Sequence, residues 1–253
     1  MRYTGGTCSR VRKAHPKSFS RTNKKMDSNF PLFGVAHLSI LSSIMLLATI
    51  LAAVQRRLGG DSRWIRLSMA AILLANALAW DIVMIRRGLM VFPYHLPIEF
   101  CDVAIYMAAI ALCTLRPAFF DVAYYWALGG STMALLTPDL PGRFPSLDTA
   151  QFFLSHGLLV AFVLSRVWAG LLRPRKDSVL RAMLAVNILA ACDGAFDGIF
   201  GTNYMYLRAK PPHASLFDVL GPWPWYIAAT EAVALALFLL LYLPFWRPWR
   251  HEV

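Results

Sequence analysis

The sequence predicts an all-α integral membrane protein, a bundle of seven transmembrane helices. Three observations predict it. Aliphatic, aromatic and sulfur-bearing residues fill 58% of the 253 positions and charged residues only 15%, where a soluble domain carries about a quarter charged residues. Mean hydropathy is +0.51. The apolar stretches are long and continuous instead of alternating. Lipid satisfies no backbone hydrogen bond, so such stretches cross as helices, whereas alternating ones close into barrels.

Seven segments reach spanning length: Leu32–Val54, Trp64–Ile85, Leu96–Leu115, Ala118–Thr137, Ala150–Leu172, Val179–Phe200 and Trp225–Trp246. Each is roughly 20 residues, enough to cross a hydrocarbon core of about 30 Å. Helix-breaking residues punctuate the gaps: Gly59-Gly60, Pro93, Pro117, Pro138 with Pro141-Gly142, Pro174, and Pro211-Pro212. The break at Leu115–Ala118 is tight enough to make the third and fourth spans an antiparallel hairpin. There is no internal repeat of the inverted-transporter kind.

The net charge of +11 is mostly a property of the N-terminus. Arg2, Arg10, Arg12, Lys13, Lys17, Arg21, Lys24 and Lys25 supply eight of those charges with no acid among them, leaving +3 for the rest. This does not point to nucleic acid. Residues 1–28 read as a basic, disordered tail or a mis-start, since the stretch has few apolar residues and no periodicity and Met26 opens an ordinary membrane-protein start. The membrane domain then covers 29–253. Lys/Arg bias in the loops sets orientation. On the N-terminal side (side A) lie Arg86, Arg87, Arg143, Arg208 and Lys210. The opposite side B carries Arg56, Arg57, Arg63, Arg66, Arg116, Arg173, Arg175, Lys176, Arg181, Arg247 and Arg250. Side B is therefore expected inside, which puts the N-terminus outside the cytoplasm and the C-terminus within it, in a cell membrane. Cys8, Cys101, Cys113 and Cys192 show neither zinc spacing nor a disulfide framework, and no metal or cofactor is expected.

Polar residues inside a membrane are costly and face the bundle interior, so their placement carries the functional information. Asp81, Glu99, Cys101, Asp102, Gln151, Ser155, His156, Asp193 and Asp197 all fall toward the side-A ends of their spans, with Asn203 and Tyr204 just beyond. His37 and Glu231 lie in the same half; Asp121 and Arg166 are the exceptions, and Arg166 is expected to snorkel toward side B. One polar pocket open to side A is expected, with His37, Glu99, Asp102, Gln151, Asp197, Asn203 and Tyr204 as candidate substrate contacts.

Within it the candidate catalytic pair is Cys101 with His156. A thiol becomes a useful nucleophile as thiolate, and an adjacent imidazole generates it by taking the proton. Both residues lie at similar depth on spans that begin on side A. The alternative is a packed cysteine and a hydrogen-bonded histidine. Helical spacing puts Glu99, Asp102 and Tyr106 on one face and turns Cys101 away from Glu99, unless Pro97 distorts the first turn. His37 admits two roles, orienting a base or sitting among headgroups. Asp193 and Asp197, at i and i+4, cannot both ionise cheaply in low dielectric; they bind a cation, relay protons, or serve as protonated structural groups.

Four stretches together resemble the YwaF-like family of bacterial multi-pass membrane proteins: Phe33-Gly34-Val35-Ala36-His37-Leu38, Leu96-Pro97-Ile98-Glu99-Phe100-Cys101, Phe152-Phe153-Leu154-Ser155-His156, and Asn203-Tyr204-Met205-Tyr206-Leu207 running to Gly221-Pro222-Trp223-Pro224. That family is similar to a eukaryotic transmembrane acyltransferase that moves fatty acyl chains onto ether lysophospholipids, and more distantly to membrane hydrolases of fatty-acid esters. The resemblance implies a catalytic Cys and His on separate spans, and by motif position these are Cys101 and His156. Glu99 departs from the His or Gln expected at its place in the Leu-Pro motif.

The expected function is thus a membrane-embedded lipid acyltransferase or acyl-ester hydrolase whose partners are membrane lipids. The alternatives are an ion-coupled transporter built on the intramembrane carboxylates and a non-catalytic lipid-binding protein.

Overall fold

A computed structural model describes residues 30–138, 140, 144–211 and 216–246. The basic N-terminal segment, Pro141-Gly142-Arg143, Pro212, Arg247 and Arg250 lie outside the described residues. Among the described residues the chain is helical, without a named strand. The helices are α1 (Val35–Arg57), α2 (Arg63–Arg86), α3 (Phe100–Thr114), α4 (Pro117–Tyr125), α5 (Thr132–Leu136), α6 (Leu147–Trp168), α7 (Ser178–Phe200) and α8 (Trp225–Tyr242). A π-helical stretch, Trp126–Ser131, joins α4 to α5 in one continuous rod.

Five elements are long and apolar enough to cross a membrane: α1, α2, α6, α7, and α8 with its 3-10 extension to Phe245. The expected third span is shorter than the sequence suggests. Pro97 lacks an amide proton, and the helix begins only at Phe100. Its 15 residues rise about 22 Å, short of a 30 Å core. The expected fourth span is interrupted by the π segment. The fifth begins earlier than expected because Ser146 caps it: its hydroxyl accepts from the Thr149 amide at 3.2 Å while Thr149 Oγ1 accepts from the Ser146 amide at 3.0 Å.

The outer surface is apolar. Leu180, Leu184 and Ile188, one stripe of α7, are 71%, 58% and 57% exposed; such a stripe is stable only against lipid or another apolar surface. The interior is built from small residues and aromatics. Ala104, Ala108 and Ala111 on α3 let it lie close to its neighbours, while Tyr125 and Trp126 fill the centre. α1 lies along α6, where Gly157 leaves room for Ile44, whose Cδ1 would sit 2.8 Å from any added Cβ. The hairpin of α3 and α4 forms as expected, with Leu115 in the left-handed region at φ +54° and Pro117 opening α4.

The side-B end holds a polar cluster. Arg166 does not snorkel. Only 1% exposed, it donates to Gln55 Oε1 at 2.5 Å and Asp61 Oδ1 at 2.7 Å. A buried guanidinium is tolerable because it is paired. Arg66 Nε lies 3.3 Å from Asp61 Oδ2, and its Nη1 donates to the Leu112 and Cys113 carbonyls. Asp121, fully buried, accepts from Arg175 Nε and Nη2 at 2.9 and 2.8 Å and from the Arg175 amide at 3.1 Å.

Candidate active site

The side-A ends of α2, α3 and α6 converge on a cavity of about 200 Å³. α3 contributes Cys101, Asp102, Ile105 and Tyr106; α6 contributes Asp148, Gln151, Phe152, Ser155, His156 and Leu159; α2 contributes Ala77, Trp80 and Asp81; the π segment contributes Ser131. Positions i, i+1, i+4 and i+5 of α3 share a face, and so do i, i+4 and i+8 of α6, so helix periodicity alone sorts these side chains inward.

Cys101 Sγ lies 3.3 Å from His156 Nε2. The other ring nitrogen, Nδ1, is 2.8 Å from the Phe152 carbonyl oxygen. A carbonyl only accepts, so Nδ1 carries the proton in that contact and Nε2 of the neutral ring is left as acceptor, facing the thiol. The backbone of α6 thereby selects the tautomer that can take a proton from Cys101. The Phe152 ring lies against the imidazole, centroids 4.4 Å apart, which restricts its rotation.

Polar groups flank the pair. Ser155 Oγ accepts from Asn76 Nδ2 at 2.8 Å and from Gln151 Nε2 at 2.9 Å, tying α2 to α6 beside the histidine. At the rim Arg87 Nη1 donates to Asp148 at 2.5 Å and its guanidinium lies over Trp80. Among the described residues no group of three or more His, Cys, Asp or Glu is arranged to hold a metal ion.

Of the residues singled out from sequence, Cys101, His156, Asp102 and Gln151 line this cavity, and His37, Glu99, Asp197, Asn203 and Tyr204 do not. The polar residues expected in one pocket are divided. His37 is fully buried, accepts from the Phe33 amide on Nδ1 at 3.0 Å and donates from Nε2 to the Leu135 carbonyl at 2.7 Å. It pins the start of α1 to the end of α5. Asp197 Oδ1 accepts from Thr202 Oγ1 at 2.6 Å and the Tyr204 amide at 2.9 Å. Asn203 Oδ1 accepts from the Arg208 and Ala209 amides. Tyr204 donates its hydroxyl to the Pro93 carbonyl and accepts from the Leu96 amide, both at 2.9 Å. Glu99 precedes α3 and receives the Met205 amide at 3.5 Å. Together these five residues fix the loops after α5, α2 and α7.

Sequence reasoning passed over Asn76, Trp80 and Ser131. Asn76 had a visible signal, an amide in the middle of an apolar span. Ser131 had none, because its direction depends on the π register.

A family model described as the TMEM164 family matches residues 32–242. An uncharacterized protein of Treponema pallidum (strain Nichols) is 28% identical over 231 residues, which cover 88% of this chain and 92% of that protein. No solved structure matches. The family is a eukaryotic transmembrane one, in line with the eukaryotic relation that the motifs implied; the match does not extend to the YwaF-like family itself. With 211 of its residues inside the match, the chain belongs to the TMEM164 family.

Proposed function

We propose that the protein is a thiol-dependent lipid acyltransferase or acyl-ester hydrolase acting on membrane lipids. The single observation that carries this reading is the 3.3 Å contact between Cys101 Sγ and an unprotonated His156 Nε2 inside a cavity. Hydrogen-bond reach with the acceptor nitrogen aimed at the thiol is what general-base activation requires. In the first half-reaction the Cys101 proton passes to His156 Nε2 as Sγ bonds to the ester carbonyl carbon of a phospholipid. The tetrahedral intermediate collapses, the C–O bond breaks, and the leaving lysolipid alkoxide takes the proton from His156. In the second half-reaction an acceptor hydroxyl, from a lysolipid or water, gives its proton to His156 and attacks the thioester. The C–S bond breaks and Cys101 recovers the proton.

The same reading takes α3 and the rod from Pro117 to Leu136 as two further crossings, for seven in all, as in a YwaF-like bundle. It opens the cavity on the extracytoplasmic side, following the Lys/Arg bias. A transporter reading built on Asp193 and Asp197 finds less support: Asp197 Oδ1 holds the loop that follows α7, and only Oδ2 of each carboxylate is buried without a partner among the described residues.

Comparative lipidomics of cells expressing the wild type and Cys101→Ala tests the proposal. The expected result is a class of lipids whose acyl chains are redistributed only when the thiol is present. Identical lipid profiles, together with unchanged labelling by an acyl fluorophosphonate or thiol-directed lipid probe, would reject it.

A further inference from the structure

We infer that Ser131 is the oxyanion donor of this site, a catalytic residue whose hydroxyl binds the carbonyl oxygen of the acyl group during attack by Cys101. The inference rests on the proposed acyl chemistry and adds a residue to it.

Three observations converge on Ser131. It is fully buried, yet its Oγ has no hydrogen-bond partner among the described residues. It lines the same cavity as Cys101 and His156. It is the last residue of the π segment, Trp126–Ser131. A buried hydroxyl without a partner costs about 1–3 kcal/mol, and such a cost persists where a bound group supplies the partner.

The π register explains why the hydroxyl is free. A serine in an α-helix satisfies its proton on the carbonyl one turn back, at i−4. For Ser131 that carbonyl belongs to Ala127, which already receives the Thr132 amide and lies 3.5 Å from Thr132 Oγ1. The extra residue in the turn shifts Thr132 onto the oxygen and leaves the Ser131 hydroxyl without a partner. π-turns of this kind are frequent at functional sites.

Neighbouring residues hold this segment in register with the nucleophile. A Cβ on Gly130 would sit 2.4 Å from Phe100 Cε1, so only glycine admits the Phe100 ring there. That ring packs on Trp126 with centroids 4.8 Å apart. Phe100 immediately precedes Cys101 and Gly130 immediately precedes Ser131. The close approach of the first pair holds the second pair in the lining of the same cavity.

An oxyanion hole adds stabilisation only as charge develops on the carbonyl oxygen. During thioester formation the ester C=O becomes C–O⁻ and the Ser131 hydroxyl donates to it. When the carbonyl re-forms, the proton remains on Ser131 throughout, so the residue is regenerated without net transfer. The same donation serves the second half-reaction.

The test uses the full chain in mixed micelles with a phosphatidylglycerol that carries one fluorescent acyl chain. Two rates are read for wild type, Ser131→Ala and Ser131→Thr: acyl loading of Cys101, and alkylation of Cys101 by iodoacetamide, which passes through no oxyanion. Ser131→Ala is expected to load about 100-fold more slowly with alkylation unchanged, and Ser131→Thr, which keeps the hydroxyl, to recover most of the loading rate. Loading by Ser131→Ala at the wild-type rate would overturn the inference while leaving the acyl chemistry standing. A parallel fall in loading and alkylation, or equal loss in the Ala and Thr variants, would reassign Ser131 to packing. Absence of loading in the wild type would remove the acyl chemistry and the inference with it.

Discussion

The cavity and the side-B end of the bundle engage their polar residues to different degrees. At the side-B end Arg166 is matched to Gln55 and Asp61, and Asp121 to Arg175, through contacts of 2.5–3.1 Å. Around the cavity at the other end the polar atoms surround about 200 Å³ of open space, and the Ser131 hydroxyl lacks a partner. Paired charges hold a fold together, although Arg166 Nε itself has no hydrogen-bond partner among the described residues. Groups aimed into a void have their partners still to come. The difference separates structure from chemistry within one bundle.

Substitutions can break or sharpen that contrast. The largest effect is expected for Cys101→Ala, with acyl transfer lowered at least about 1,000-fold and thermal stability in detergent unchanged. An equal fall in both would erase the distinction. His156→Gln should behave in the same way, with slower iodoacetamide alkylation of Cys101 because the base is gone. Next comes Arg166→Ala, which leaves Gln55 Oε1 unpaired in the interior, whereas the exposed Asp61 keeps Arg66. It is expected to cost about 1–3 kcal/mol, read as a lower urea or thermal midpoint, while correctly folded protein keeps its turnover. Asn76→Ala removes one hydrogen bond to Ser155 and should cost about 1 kcal/mol, with a modest rise in KM from a loosened cavity wall. The smallest effect belongs to Asp177→Asn at the exposed start of α7. Its i, i+4 pairing with Arg181 holds its carboxyl below the usual carboxylate range, yet solvent screens the pair and no shift in midpoint is expected.

The fold was legible where it depends on composition and punctuation. The apolar runs located every long helix, and Pro117 after Leu115 placed the α3–α4 hairpin. The limits of α3 were less legible, because apolar length extends back to Leu96 whereas helical hydrogen bonding starts only after Glu99. Cys101 and His156 were legible as a pair because depth along two spans that start on the same side can be counted in residues. His37 was not: its partner is the Leu135 carbonyl, left over where α5 ends, and backbone acceptors at helix ends have no sequence label. Arg166 was misread because Asp61 and Gln55 lie more than a hundred positions away. Ser131 is the extreme case, since one extra residue in a single turn decides whether its hydroxyl finds a carbonyl partner.

The central claim, that Cys101 is a nucleophile activated by His156, is tested most directly by trapping the acyl-enzyme. Purified protein is mixed with a diacyl phospholipid, quenched in acid and measured by intact mass and peptide mapping. The account predicts the mass of one fatty acyl chain, on Cys101, released by hydroxylamine, absent from Cys101→Ala and slow to form in His156→Gln. Phospholipid turnover by Cys101→Ala at the wild-type rate, with no acyl group on the wild-type thiol, would contradict it.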